Sequence, residues 1–376
     1  MNQFSKSRIA IVYDKANKFG GAERVLLTLH EMFPDAPLYT SVYDQENAKW
    51  AEVFTKVHTS FLQNIPFAKK HNELFGWLMP IAFESFDFKN YDLVISVTSE
   101  SAKGIITNTS TKHICLMLTP TRYLWSGYDE YFKNPIFKFI SKPVINYLRW
   151  WDVVASHRPD EIIAISTVVQ NRIKKYYKRD SEIIYPPVDD ISSYHKNSLL
   201  RVSAKQKTSR QFLLDMNQYF LYVGRLVKYK KVDLLVDTYN DLGLPLLIIG
   251  TGAEEKRLKA SAKSNIKFLG SVSDSELVKI YQNARAFMMP QDEDFGITAV
   301  EAQSFGIPVI AYKSGGALDT IIDGKTGVFF NSQTKKSLKQ AIKKFGTIKF
   351  NKSELIKNAK RFSTEIFKEK LIKFIK

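Results

Sequence analysis

The sequence predicts two α/β domains, each a doubly wound parallel sheet covered by helices. Three observations carry this expectation. Short β-branched runs alternate with amphipathic stretches along most of the chain, as strands joined by crossover helices do. The alternation stops at Pro186-Pro187, two residues that resist both helix and ladder, and begins again near Tyr219. The length, 376 residues, suffices for two cores of ordinary size.

Taken in order, strands are predicted at 8–13, 38–42, 93–97, 113–118 and 161–165, short runs that are apolar or β-branched. Helices are predicted at 22–32, 136–151 and 168–177, the last with Ser166 as its N-cap. A strand from Glu182 is cut off by the two prolines. After a polar Ser/Lys/Asn stretch the second domain supplies strands at 219–224, 246–249, 266–269, 286–289, 309–312 and 327–330. Residues 361–376 read as a basic amphipathic helix. The domain boundaries expected are 1–187, 188–360 and a terminal segment 361–376. Ligands of such sheets bind at the carboxyl ends of the strands.

Apolar residues make up 44% of the chain and charged residues 25%, as in ordinary globular proteins. The single cysteine, Cys115, lies in the apolar run His113-Ile114-Cys115-Leu116-Met117-Leu118, so it reads as a buried small hydrophobe. No intrachain disulfide is available, and a reducing compartment is expected. No basic-then-apolar leader precedes the first strand, and no window reaches the roughly 18 apolar residues of a spanning helix. A cytoplasmic protein is expected, with peripheral contact at the inner face of the cell membrane. The net charge of +17 implies an anionic partner. Two stretches interleave aromatics with cations: 132–151, carrying Lys133, Lys138 and Lys142 with Pro143 as an interruption, and the segment of Lys69, Lys70, Phe75, Trp77 and Leu78.

The chemistry concentrates in the second domain. The strand ending at Met289 stops at Pro290 and opens into Gln291-Asp292-Glu293-Asp294-Phe295-Gly296, followed by the helical stretch Ile297-Thr298-Ala299-Val300-Glu301. A helix N-terminus free of proline offers unpaired amides to an anion, and Glu293 and Glu301 flank it as hydroxyl acceptors. Gly224 ends the domain's first strand and is followed by Arg225 and Lys230. A guanidinium fork and a mobile ammonium suit a diphosphate. Sugar, diphosphate and sugar together describe a nucleotide-sugar.

Other patterns fail. Gly324-Lys325-Thr326 lacks the upstream glycine of a phosphate loop, where Asp319 stands, and reads as a hairpin turn. Gly250-Thr251-Gly252 lacks the third glycine of a dinucleotide fingerprint, where Glu255 stands, and reads as a strand-to-helix turn. The six histidines include no close ligand pair, so no bound metal and no cofactor are expected.

With Phe268-Leu269-Gly270-Ser271-Val272, these donor-side residues resemble the retaining glycosyltransferases of family four, which have the GT-B fold. The first half agrees, in Gly20-Gly21-Ala22-Glu23-Arg24, Thr119-Pro120-Thr121-Arg122-Tyr123-Leu124-Trp125 and Ile184-Tyr185-Pro186-Pro187-Val188-Asp189. It is similar to the bacterial branch of O-antigen mannosyltransferases.

The resemblance implies two domains facing a cleft and transfer of a sugar, mannose from GDP-mannose being favoured, to a glycan or lipid-linked acceptor in cell-surface polysaccharide synthesis. It implies that Arg225 and Lys230 hold the diphosphate, Glu301 the ribose and Val272 the base. Glu293, with the backbone of Phe295, Gly296, Ile297 and Thr298, would hold the transferred sugar. Gly20 and Gly21 would face the diphosphate, and the last helix would cross back to the first domain. Many relatives carry a histidine before the Thr-Pro pair. Leu118 stands there in this chain, leaving the acceptor side to Leu118, Arg122 and Tyr123. Rival readings are a nucleotide-sugar epimerase or a phosphorylase on the same scaffold, and a basic nucleic-acid-binding protein. The last has no recognition module, and its cations are scattered over several helices.

Overall fold

The computed structural model describes residues 7–69, 71–189 and 218–376. Its contacts divide the chain into two units, Met1–Pro187 with Phe367–Lys376, and Val188–Ile366.

The first unit is built on β1 (Ile9–Tyr13), β2 (Leu38–Thr40), β3 (Val57–Thr59), β4 (Leu93–Thr98), β5 (Lys112–Met117), β6 (Glu161–Ala164) and β7 (Glu182–Ile183). They pair in parallel, in the order β3-β2-β1-β4-β5-β6-β7. Strands β1 and β4 are buried along their whole length, which is why they read as mostly apolar, β-branched runs and not as alternating ones. Its helices are α1 (Gly21–Met32), α2 (Met79–Glu84), α3 (Tyr128–Tyr131), α4 (Pro135–Ala155) and α5 (Thr167–Tyr177). The Ser166 hydroxyl accepts from the Val169 amide, as an N-cap does.

Two expectations are corrected here. Strand β3 escaped the sequence reading because Val57-His58-Thr59 is a half-buried edge with no apolar run; His58 stacks on Tyr39 at 4.4 Å. Pro143 does not interrupt α4, which runs 21 residues through it. The proline leaves the Phe139 carbonyl without its i+4 amide donor. This costs little where Phe139 and its neighbours are exposed to water.

The second unit comprises β8 (Tyr219–Val223), β9 (Leu246–Ile249), β10 (Ile266–Gly270), β11 (Ala284–Met289), β12 (Val309–Tyr312) and β13 (Gly327–Phe330). Their order is β10-β9-β8-β11-β12-β13, again all parallel. Relative to the unit's own first strand this is the 3-2-1-4-5-6 order of dinucleotide-binding folds, and the chain reverses its direction of winding between β8 and β11. Helices α6 (Val232–Leu242), α7 (Glu255–Ser261), α8 (Asp274–Asn283), α9 (Ile297–Ser304), α10 (Ala317–Thr320), α11 (Lys335–Phe345) and α12 (Lys352–Lys360) cover it. Helix α8 opens with a reciprocal capping box between Ser273 and Glu276.

The terminal segment 361–376 carries the one helix expected of it, shortened at its start. After α12 the chain breaks at 361–363, because Phe362 turns inward to pack on Phe295 at 5.4 Å, and α13 (Thr364–Ile375) follows. Phe367, Leu371 and Ile375 of α13 are buried, and Lys368 pairs with Glu31 at 2.7 Å within the first unit. The turn at Gly324-Lys325-Thr326 is not a hairpin either. It leads into β13, which lies parallel to β12, and its Thr326 hydroxyl is buried and accepts from the Ile322 amide.

His113 on β5 is fully buried, with its Nε2 2.8 Å from the Ser96 hydroxyl. Burial lowers its pKa to about 3. The unfolded chain titrates near 6.5, so between pH 6.5 and 3 the unfolded state binds the extra proton and stability falls as pH falls. The predicted slope is about 1.4 kcal/mol per pH unit below pH 6, in wild type relative to His113→Leu. Parallel urea titrations at pH 7 and pH 5 measure it; equal pH dependence of the two proteins contradicts it.

Candidate functional site: the strand ends of the second unit

Because β8 and β11 are hydrogen-bonded neighbours, their carboxyl-end loops emerge side by side at the point where the winding reverses. The loop after β8 carries Arg225 and Lys230, and the loop after β11 carries Glu293, Phe295 and Gly296 before α9. Lys230 Nζ forms an ion pair with Glu293 Oε1, both side chains being largely buried, and Gln291 Nε2 donates to the same oxygen at 3.0 Å. Arg225 stays at the exposed rim and donates to the Tyr229 hydroxyl at 2.8 Å. Lys230 lies 5.3 Å from the Tyr229 ring, so one aromatic side chain steadies both cations.

Helix α9 begins at Gly296, whose φ of +90° is left-handed backbone that glycine adopts without strain. No side chain caps this end, and Ile297 and Thr298 occupy its first turn, half-buried. Its first amides point to the strand ends, and the helix dipole adds partial positive charge there. The loop is held from behind: the Gly316 amide donates to the Glu293 carbonyl at 2.8 Å, and Gly316 lies so close to Phe295 that a Cβ would sit 2.3 Å from its Cα.

Glu301 lies on the second turn of α9 and is only 1% exposed; the Tyr281 hydroxyl donates to its Oε2 at 3.4 Å. Val272 follows β10, two strands from β8, half-buried against the core.

One part of the site went unread in the sequence. The Gly250-Thr251-Gly252 turn lies against the Arg225 loop and fixes its shape. The Gly224 amide donates to the Ile249 carbonyl at 3.0 Å, and the Leu226 amide to the Thr251 carbonyl at 2.9 Å. A Cβ on Gly250 would meet the Gly224 carbonyl oxygen at 2.0 Å, and one on Gly252 the Leu226 oxygen at 2.3 Å. The two glycines permit a backbone-to-backbone approach, and a missing third glycine concealed that role.

In the first unit the expected residues sit on two strands with a third between them. Gly20 and Gly21 open α1 after β1, whereas Leu118, Arg122 and Tyr123 follow β5. The Leu118 amide donates to the Thr98 carbonyl at 2.8 Å; Arg122 and Tyr123 are half-buried. Strand β4 separates the two groups, and Glu100 in its loop pairs at 2.6 Å with Lys15, which follows β1; the sequence reading singled out neither. The buried Asp14 carboxylate fixes that loop. It accepts from the Thr98 hydroxyl and from the amides of Ser99, Glu100, Ser101 and Ala102 at 2.7–3.0 Å. Burial pushes the Asp14 pKa up, against the amides that pull it down.

The sequence was compared with known proteins. Residues 204–362 match the family model described as Glycosyl transferases group 1. An uncharacterized glycosyltransferase of Methanocaldococcus jannaschii is 27% identical over 229 residues, 60% of each chain. The capsular polysaccharide biosynthesis glycosyltransferase CapM of Staphylococcus aureus is 30% identical over 178 residues, 42% of this chain and 46% of CapM. The chain thus spans about half the length of the curated relatives it matches. The solved structure of Anabaena HepE in complex with UDP superposes with a TM-score of 0.68 at 19% identity, covering 98% of this chain and 99% of HepE. The group 1 match lies within the second half of the chain and covers less than half of it, and the two parallel-sheet units match the GT-B fold.

Proposed function

We propose that the protein is a retaining, metal-independent hexosyltransferase that moves a sugar from a nucleoside-diphosphate sugar to a glycan or lipid-linked acceptor in cell-surface polysaccharide synthesis. The observation that carries this reading is the convergence of Arg225, Lys230, Glu293 and the α9 N-terminus on two adjacent strand ends. Arg225 and Lys230 take the diphosphate, and Glu293 turns to the hydroxyls of the transferred sugar as the phosphate takes over its lysine. Glu301, already desolvated, accepts the ribose hydroxyls, and Val272 lies by the base.

As the anomeric bond breaks, negative charge grows on the diphosphate and positive charge on the sugar. Fixed cations and a helix terminus stabilise the former without reorganising. Glu293 is engaged with the sugar hydroxyls in this reading and is not the nucleophile. The acceptor oxygen therefore attacks from the face the diphosphate leaves, and a phosphate oxygen takes its proton. Arg122 and Tyr123 serve the acceptor side, with Leu118 in the place of the usual histidine.

The donor proposed is GDP-mannose, on the resemblance to mannosyltransferases; the UDP held by HepE speaks for uridine instead. The protein acts in the cytoplasm, as a peripheral partner of the membrane. Two cations and a helix N-terminus replace the charge of a divalent ion, so chelation with EDTA is expected to leave turnover unchanged. A proton NMR assay over a panel of nucleotide-sugars, with and without EDTA, tests the reading. The expected product keeps the anomeric configuration of the donor. An inverted product, loss of activity with EDTA, or an epimerised nucleotide-sugar rejects the corresponding part.

A further inference from the structure

Helix α4 has a second apolar face that the fold leaves uncovered. Ile145, Leu148, Trp151 and Ala155 are buried, as its packing on the first unit requires. Yet Ile136, Ile140, Tyr147, Trp150 and Val154, spaced 4, 7, 3 and 4 residues apart, form a line on another side and are all exposed. The first two turns hold nothing back: Phe139 is 78% exposed and Ile136 71%. A second set, Phe67, Leu74, Trp77 and Ile81, is likewise exposed just before and within α2. The elements that carry the two sets are in contact. The Trp151 indole donates to Glu84 at 2.7 Å, and Gly76 lies against Tyr123, whose ring is 6.3 Å from that of the exposed Tyr131.

We infer that this face docks the protein on an anionic lipid surface, with α4 lying in the headgroup region. Lone exposed apolar side chains are ordinary, but a line of them along one helix marks an interaction surface. Its composition suits an interface between water and lipid: Trp150, Tyr147, Trp77 and Tyr131 are amphipathic, and exposed Lys133 and Lys142 lie beside the apolar residues. Lys138, tied to Asp129 at 2.6 Å, adds a third cation on the same turns. A second copy of this chain would bring these lysines against their like, on a protein of net charge +17. No described helix is long and apolar enough to cross a membrane, so α4 lies on the surface. Lys69 belongs to the same region; Lys70 lies outside the described residues.

The inference rests on the proposed lipid-linked acceptor, but docking is measured without donor or acceptor, so the two fail separately. Sedimentation with vesicles of phosphatidylcholine alone, or with 30% phosphatidylglycerol, compares wild type with Ile136→Ser/Phe139→Ser/Ile140→Ser and with Lys133→Glu/Lys142→Glu. Wild type is expected to bind the anionic vesicles. The apolar triple variant should lose at least about tenfold in partitioning. The charge variant should lose its preference for anionic lipid, and added salt should weaken wild-type binding. All five positions are exposed, so an unchanged melting temperature accompanies these losses. Absent binding by wild type, unaltered binding by a folded triple variant, or a dimer that the triple variant turns into a monomer overturns the inference.

Discussion

Arg225→Ala lowers turnover at least a hundredfold while the protein keeps its fold. The guanidinium is at the exposed rim and donates to Tyr229, so its removal costs little stability, within about 0.5 kcal/mol for a surface change of this kind. Its contribution arises in the transition state, where one well-placed donor facing developing charge supplies about 3 kcal/mol. The loss should therefore fall on kcat as much as on kcat/KM. Lys230→Ala is a less clean test, because it also strips Glu293 of its ion-pair partner. Steady-state kinetics on Arg225→Ala, with its circular dichroism and melting temperature, decides the matter. Activity within a few-fold of wild type contradicts the donor-site assignment.

Asp152→Ala is expected to destabilise the first unit by about 3–5 kcal/mol. Asp152 and Lys103 are each 1% exposed and 2.6 Å apart. The Asp152 carboxylate also accepts from Thr121 at 2.8 Å, from the Trp125 indole at 2.7 Å and from the Tyr177 hydroxyl at 2.6 Å. Removing it strands a buried ammonium and three donors, and a stranded charge costs far more than the intact pair is worth. Thr121 and Trp125 flank Arg122, so the acceptor-side loop loosens with it, linking stability to function. Urea unfolding followed by tryptophan fluorescence measures the effect. A loss under about 1 kcal/mol, the size of an exposed ion pair, contradicts the account of this network.

The parallel sheets were legible because buried strands such as Ile9–Tyr13 and Leu93–Thr98 are short runs rich in apolar and β-branched residues. Val57–Thr59 was not, since an edge strand of three residues carries too little hydrophobic pattern to register. The places of the candidate site residues were readable because they follow directly on two strands and a helix start: Arg225 and Lys230 after one, Glu293 and Gly296 after the other. Their meeting, Lys230 on Glu293, depends on β8 and β11 being neighbours, which chain order does not reveal. The supporting contacts were hidden for a similar reason. Gly250 and Gly252 matter through the backbone of Gly224 and Leu226, and Asp14 through amides more than 80 residues away. Nothing in the sequence singles out Lys103 or Asp152; only the fold buries them together.

The central claim is that the strand ends of β8 and β11 bind a nucleoside diphosphate. Isothermal titration calorimetry of wild type and Arg225→Ala with UDP and with GDP tests it most directly. The account predicts one binding site in wild type, tighter for one base, and at least tenfold weaker binding in the variant. Equal affinity of the two proteins, or no binding of either nucleotide by wild type, contradicts it.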